Sequence, residues 1–116
     1  MLTYKYKNCW GDTLNIKLGK TSYLNNGTLA VVMLEVLDNG EEEEYDVLTV
    51  NINDSSLLAS DTDAFIDTNN MGQDIVQWLV ENKIAKKTPF VGFSGYCSYP
   101  LMSFTKQALD SMVALG

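Results

Sequence analysis

Regular alternation of apolar and polar side chains near the N-terminus most constrains how this chain folds. Leu2, Tyr4 and Tyr6 are separated by single polar residues, and the same spacing returns at residues 14–18. Side chains of a strand point alternately to its two faces, so this spacing predicts two half-buried strands. Residues 10–12 (Trp-Gly-Asp) lie between them, where a short hairpin turn is expected. The chain therefore begins as an antiparallel pair.

The middle of the chain predicts more strands. Residues 29–37 are rich in apolar and β-branched side chains, which favours a central strand. Residues 38–40 (Asp-Asn-Gly) predict a type I′ turn, because both of its central positions tolerate positive φ. The return strand is expected at residues 43–52. A short strand is expected at residues 64–67.

The second half mixes one main helix with strands. An apolar stripe at helical spacing predicts a helix over residues 71–82, with Ile75 and Leu79 on the buried face. Residues 90–93 and 99–104 predict strands, and residues 106–115 a short terminal helix. The expected fold is of the α+β class: an antiparallel sheet of five or six strands, one main helix packed on it and a short C-terminal helix. Residues 1–116 are expected to form a single domain.

Two missing residue types exclude several function classes. The sequence has no histidine, so it offers neither a Ser-His-Asp nucleophile nor the commonest zinc ligand. It also has no arginine, which removes the bidentate reader of guanine and phosphate. The pI of about 4.3 disfavours direct contact with nucleic acid. We therefore expect a protein that is not an enzyme and uses no cofactor and no metal.

The sequence also predicts the cellular location of the protein and the oxidation state of its two cysteines. No segment has the pattern of a signal peptide or the length of a membrane span, so we expect a cytoplasmic protein with no membrane contact. In that compartment Cys9 and Cys97 are expected to be free thiols, although neighbouring strands would allow them to pair. The aromatic residues near both ends are expected to form a packing cluster: Tyr4, Tyr6, Trp10, Tyr96, Tyr99 and Phe104. Any of them exposed beside polar neighbours would instead mark a contact or self-association surface.

Negative charge is concentrated in one third of the chain. Residues 38–74 hold eleven acidic side chains and no lysine, whereas the net charge of the whole chain is only -7. Alternate carboxylates of residues 41–44 would repeat every 6 to 7 Å (roughly) along one face of a strand. Such a row can attract a basic partner, or it can be a solvated edge that prevents sheets from pairing. The candidate partner-binding residues are Glu41, Glu42, Glu43, Glu44, Tyr45, Asp46, Asp61, Asp63 and Asp67.

Other chemistry has weaker support in the sequence. An EF-hand loop aligned from Asp67 places Met71 and Trp78 where oxygen ligands are required, so only an irregular calcium site remains open. Capping and turn formation account better for Asp67, Asn69 and Asn70. Asp63 with Asp67, or Glu35 with Asp46, would be a carboxylate pair for acid–base chemistry. Such pairs arise easily in an acidic chain.

Four patches resemble a known family when taken in order. They are residues 29–31 (LAV), 48–51 (LTVN), 64–70 (AFIDTNN) and 94–101 (SGYCSYPL). Together they are similar to a family of small bacterial proteins of unknown function, found in gut-associated bacteria and often carried on conjugative elements and prophages. The resemblance implies no catalytic residues. It implies a setting in which small acidic proteins resemble inhibitors of host defence, such as anti-CRISPR and anti-restriction proteins.

These observations lead to one hypothesis and two alternatives. The chain is expected to occlude a basic surface of a host nucleic-acid-handling protein, most plausibly a CRISPR effector nuclease. The first alternative is an accessory or structural protein that acts as a homodimer or with another partner, its acidic segment serving only as a solvated surface. The second is a domain that binds a small molecule or calcium.

Overall fold

A computed structural model describes residues 3–8, 10–22, 29–51 and 62–115. The described part is mostly antiparallel sheet with short helices, which confirms the α+β class. In chain order its elements are β1 Tyr4–Lys7, β2 Thr13–Ser22, β3 Leu29–Val36, β4 Glu42–Val47, β5 Thr49–Val50, β6 Asp63–Ile66, α1 Thr68–Met71, α2 Asp74–Glu81, β7 Ala85–Ser94, β8 Cys97–Phe104, α3 Lys106–Ser111 and β9 Val113–Ala114.

The strands form two sheets, where the sequence predicted one. The first sheet has the order β1-β2-β3-β4, with β9 parallel to β2, and the second has the order β5-β6-β8-β7. The chain changes sheet at Leu48, which is fully buried. Its amide donates to the Val31 carbonyl at 2.9 Å, and its carbonyl accepts from the Asp67 amide at 2.9 Å. The predicted return strand 43–52 is therefore divided into β4 and β5.

One apolar core is shared by both sheets and α2. Ile16 and Met33 enter it from the first sheet, Ile66 and Met102 from the second, and Leu79 from α2. Each is fully buried, and burial of such a side chain contributes about 1.5–3 kcal/mol. A smaller cluster of Phe65, Tyr99 and Leu101 lies on the opposite face of the second sheet. The second sheet is thus apolar on both faces.

The hairpin between β3 and β4 closes differently from the prediction. Its amide–carbonyl bonds run from Gly40 to Leu37 at 2.9 Å and from Leu37 to Glu41 at 2.8 Å. Gly40 has a φ of 87°, and neither Asp38 nor Asn39 has a positive φ. A type I′ turn requires two such residues, so that prediction was wrong. A three-residue loop with one left-handed glycine replaces it.

The predicted main helix is interrupted. Its first residue, Met71, is the last residue of α1, the C-cap residue Gly72 has a φ of 86°, and α2 begins only at Asp74. Asp67 caps α1 by accepting from the Asn70 amide at 3.2 Å, which confirms its predicted capping role. Ile75 is buried in α2, as its helical spacing predicted. No helix of the described residues has the length and apolar character needed to cross a membrane.

The last part of the chain differs in its element bounds. β7 begins at Ala85 and runs through Pro89, which an edge strand tolerates because its outer amides need no partner in the sheet. The terminal helix ends at Ser111, earlier than predicted, because the chain continues as β9 beside β2. Cys97 has a free thiol, and Cys9 lies outside the described residues.

Candidate functional site

The predicted acidic surface begins at the hairpin between β3 and β4. β4 is the edge strand of the first sheet, and its first three residues are glutamates. All four side chains of Glu41, Glu42, Glu43 and Glu44 are exposed. Residues 38–40 of the connecting loop are exposed as well. The sequence therefore placed this charge correctly on the surface.

The glutamates of β4 divide between the two faces of the sheet. Strand register pairs Glu42 with Val36, Glu43 with Glu35 and Glu44 with Leu34. Glu42 and Glu44 consequently share one face, while Glu43 lies on the other beside a second carboxylate. Like charges directly opposite each other repel, and a basic partner would relieve that repulsion.

Glu42 has its own counter-ion and is not part of a free surface. Its carboxylate lies 2.7 Å from the Lys17 ammonium group. The Lys17 side chain is only 6% exposed and that of Glu42 35% exposed. A buried ammonium needs a partner, so this bond holds β4 against the sheet. It is the only salt bridge among the residues the structure describes, and Glu41, Glu43 and Glu44 have no such neutralising partner there.

Tyr45 was expected to supply a short-range contact to a partner; its half-buried ring packs against the apolar core. The register of β3 and β4 shifts at this residue, where β4 has one residue more than β3. The ring meets Tyr6 edge-on, with centroids 5.9 Å apart. Tyr6 in turn meets Trp78 at 5.2 Å. Tyr45 thus belongs to the aromatic packing between the first sheet and α2.

Two further acidic residues meet at Asn70. The Asn70 side-chain amide donates to both carboxylate oxygens of Asp46 at 3.1 Å, and the Asn70 backbone amide donates to Asp67. The structure therefore brings Asp46 and Asp67 together, as the sequence hypothesis required. Both are half-buried, and their oxygens are used to hold α1 against β4.

Of the two remaining predicted residues, only Asp63 is described by the structure, and it does not join this group. Asp63 begins β6 and pairs in register with Ser103, and its carboxylate accepts from the Thr62 hydroxyl at 3.1 Å. It lies four residues before Asp67, about 13 Å along an extended strand. Asp61 lies outside the described residues. Among the described residues, Asp38, Glu41, Glu43 and Glu44 are exposed and form no salt bridge; we call these four residues the acidic hairpin.

One edge of the second sheet carries an exposed apolar surface, of which the sequence had indicated only Tyr96. Four large apolar side chains at the end of β7 and in the turn after it are exposed: Phe90, Val91, Phe93 and Tyr96, which we call the apolar tip. Phe93 is 72% exposed and Tyr96 fully exposed. Exposed aromatic groups in this number mark a contact surface. In the sequence, the spacing of Val91 and Phe93 indicates that the two side chains share one face of a strand, and in the structure both are exposed.

The predicted aromatic cluster forms only in part. Tyr4 and Tyr6 both meet Trp78, a residue left out of the prediction. Trp10, which was included, is exposed. Helical spacing put Trp78 on the inner stripe of its helix, and this was the signal that could have placed it in the cluster.

The described residues give little support for metal binding or for acid–base chemistry. Within those residues there is no group of three side chains able to hold a metal ion. Burial raises the pKa of the Tyr99 hydroxyl, and the neighbouring Cys97 thiol and Asp67 carboxylate raise it further. Of the proposed carboxylate pairs, Asp63 and Asp67 lie at opposite ends of β6. Glu35 has Glu43, not Asp46, as its neighbour across the strands.

Comparison with known proteins matches the chain to a family of unknown function. A family model described as "Domain of unknown function (DUF4313)" matches residues 13–114. Neither the curated proteins nor the solved structures include a match.

Proposed function

Because this chain belongs to the DUF4313 family, whose description assigns no activity, we propose a function from its surface: it binds a basic protein surface through the acidic hairpin. The observation that carries the proposal is the exposure of Glu41, Glu43 and Glu44 without an ion pair among the described residues. Glu42, beside them, is held by Lys17. The hairpin is thus anchored near its turn by Glu42, and its other glutamates there are exposed.

The position of the charge supports recognition of a partner. β4 ends its sheet, and the loop of residues 38–40 extends beyond the paired strands. A charged hairpin at an edge can enter a groove that a flat sheet face cannot. Its long-range attraction raises the association rate and weakens with salt. Short-range specificity comes from backbone and polar groups of the loop and from the exposed part of Tyr45.

The proposed partner is a host nucleic-acid-handling protein, most specifically a CRISPR effector nuclease. Such proteins hold nucleic acid in positively charged channels, which an acidic hairpin can occupy in place of the phosphate backbone. The resemblance to a mobile-element family of gut-associated bacteria gives the setting for this role. The chain acts there as an anti-CRISPR or anti-restriction inhibitor, works without catalysis and meets its target in the cytoplasm.

The test combines capture of binding partners with an assay for inhibition of a nuclease. Tagged protein is used to capture partners from a host lysate at 50 and 200 mM salt, and a purified CRISPR effector nuclease is assayed for DNA cleavage with and without the protein. We expect capture of a nucleic-acid-handling protein at low salt and inhibition of cleavage. The triple variant Glu41→Gln, Glu43→Gln, Glu44→Gln should associate about ten-fold more slowly at low salt.

A matched variant separates local from total charge. Asp12, Glu81 and Asp110 are exposed and lie outside the acidic hairpin. Their replacement by Asn, Gln and Asn removes the same three charges. It should change association less than two-fold. Equal effects of the two triple variants would make net charge, not the hairpin, responsible.

A second candidate function has its own observation. The apolar tip exposes four large side chains on the edge hairpin of the second sheet, as a self-association surface would. In this case the chain acts as an accessory or structural homodimer. Light scattering of the wild type and of Phe93→Ser/Tyr96→Ser distinguishes the two: a dimer that the substitutions dissociate favours this candidate. A monomer at all concentrations removes it.

A further inference from the structure

A groove at the exit of α2 combines positive charge with an apolar floor. It lies between the end of α2, the start of β7 and the start of α3, and it measures about 470 Å³. Val80 and Ala85 contribute apolar surface, and Lys83, Lys86 and Lys87 line it. We call these five residues and Thr105 the basic groove. It is separate from the acidic hairpin and from the apolar tip.

Hydrogen bonds fix the backbone around this groove. The Ile84 amide donates to the Leu79 carbonyl at 2.9 Å, and the Lys83 amide donates to Val80 at 3.1 Å. This pair of bonds ends α2 and places Lys83 in the left-handed region, with a φ of 57°. The Thr105 hydroxyl then donates to the Lys83 carbonyl at 2.9 Å. The groove is therefore preorganised before any ligand enters.

Lys83 occupies a position where glycine is favoured. A non-glycine residue with this φ at the end of a helix destabilises the fold by about 1 kcal/mol. Asparagine can offset part of that cost with a local side-chain hydrogen bond, and lysine does not. Lys83 is the only non-glycine residue of the described chain with a positive φ. Lys83 adopts this unfavourable backbone conformation and is the third lysine that lines the groove.

Opposite charge is scarce along this part of the chain. Residues 82–109 contain four lysines and no acidic side chain. Within the described chain, no carboxylate forms a salt bridge with Lys83, Lys86 or Lys87, because the one salt bridge there belongs to Lys17. Lys83, Lys86 and Lys87 line the groove and no acidic residue of the described chain does, so the groove attracts an anion.

We propose that the basic groove binds a small organic anion that has an anionic head and an apolar body. The head lies where the flexible side chains of the three lysines that line the groove can reach it. The body lies on the exposed Val80 side chain and on the methylene stems of the lysines, which cover apolar surface while their charges reach solvent. Most pockets combine such an apolar lining with a few placed polar groups. This activity goes beyond the proposed protein-binding function and does not depend on it.

The probe is 8-anilinonaphthalene-1-sulfonate, which has one sulfonate on an apolar two-part body. Its neutral counterpart is N-phenyl-1-naphthylamine, the same body without the charge. We expect the sulfonate to bind the wild-type protein with a fluorescence increase, and the neutral compound to bind at least ten-fold more weakly. Amide chemical shifts should change mainly at residues 83–87 and 105–107.

Variants test the role of the lysines. Lys86→Gln/Lys87→Gln should weaken binding of the sulfonate about ten-fold, because two attractive charges are lost. Lys5→Gln/Lys7→Gln removes the same charge from β1 and should change binding less than two-fold. Any of three results would overturn the proposal: no binding of the sulfonate, equal binding of the neutral compound, or equal affinities for the two double variants. Shift changes centred on residues 90–96 would likewise assign the binding to the apolar tip.

Discussion

Two of the edge strands, β4 and β7, are shielded from pairing with other sheets by different side chains. β4 ends the first sheet with exposed glutamates, whereas β7 ends the second sheet with Lys86, Lys87 and the apolar tip. Charge on an edge prevents uncontrolled pairing of sheets, and β4 is covered with it from Glu42 to Glu44. β7 is protected by charge and Pro89 only in its first half. The second half of β7 is therefore more prone than β4 to associate with another protein surface.

β4 and β7 also differ in the interactions that fix them to the rest of the molecule. β4 is fixed by one ion pair between Lys17 and Glu42 and by the hydrogen bonds of Asp46 with Asn70. β7 is fixed by packing, because Phe65 lies directly on Gly92. Electrostatic anchoring leaves a surface free to meet a charged partner. Tight packing leaves little space for substitution, so the two edges should respond differently to mutation.

The largest expected effect is at Gly92 in β7. A Cβ atom there would lie 2.5 Å from Cε1 of Phe65, which is closer than real contacts allow. Gly92→Val should lower the free energy of unfolding by about 3 kcal/mol, as overpacking of a core does. Urea denaturation measures it. Ser94→Val, at an exposed position two residues later, is the control and should change stability by less than about 0.5 kcal/mol.

A second substitution checks the cause of that loss. Phe65→Ala removes the ring that the new side chain would meet. The double variant Phe65→Ala/Gly92→Val should therefore lose less stability than the sum of the single variants. Additive losses would mean that contact with Phe65 is not the reason for glycine at this position.

The next largest effect is at the ion pair of β4. Glu42→Gln leaves the buried Lys17 ammonium without its carboxylate and should cost about 2 kcal/mol, less than a fully buried pair because Glu42 is partly exposed. Glu44→Gln on the same face should cost less than about 0.5 kcal/mol. Lys17→Met/Glu42→Gln should recover most of the loss. If Glu42→Gln were as mild as Glu44→Gln, the pair would not anchor β4.

A stabilising change is expected beside β7. Lys83→Gly relieves the positive φ and should raise the free energy of unfolding by about 0.5–1 kcal/mol. The same variant should weaken binding of the sulfonate probe, since it removes one ammonium group from the basic groove. Lys83→Gln, which keeps the strain, should weaken binding without the gain in stability. Thermal denaturation and probe titration together separate strain from charge.

The smallest effect concerns pH on the β7 side. Tyr99 pairs in register with Gly92, and its pKa is raised from 10.0, mainly by burial. A raised pKa in the folded state means that its contribution is fully present below pH 10 and is lost as pH rises through the folded-state pKa. Tyr99→Phe should therefore show a smaller loss of stability above pH 10 than the wild type. An identical pH profile would show that Tyr99 does not contribute to the loss.

The sequence predicted local elements better than their assembly. Alternation located β1 and β2, and the apolar stripe with Ile75 located α2. The division into two sheets was not predictable, because it depends on hydrogen bonds from Leu48 to residues far away in the chain. The helix was predicted too long because Gly72 was given no terminating role, although its missing Cβ allows the φ at which α1 ends.

The candidate site shows the same limit. Exposure of Glu41 to Glu44 follows from composition and turn position. Their division between two faces follows from the alternation of a strand. The neutralisation of Glu42 does not, because Lys17 reaches it only through the registers of β2 with β3 and of β3 with β4. The basic groove also needs tertiary structure, since β7–β8 pairing brings Lys86 to Ser103 and thereby to the start of α3.

The most direct test of the central claim is the association rate constant with the captured partner, measured at 50 and 200 mM salt. Three proteins are compared: the wild type, Glu41→Gln/Glu43→Gln/Glu44→Gln, and Asp12→Asn/Glu81→Gln/Asp110→Asn. We expect the hairpin variant alone to associate about ten-fold more slowly at the lower salt and to lose most of its salt dependence. Wild-type rates for the hairpin variant at both salt concentrations would contradict the claim that the acidic hairpin is the binding surface.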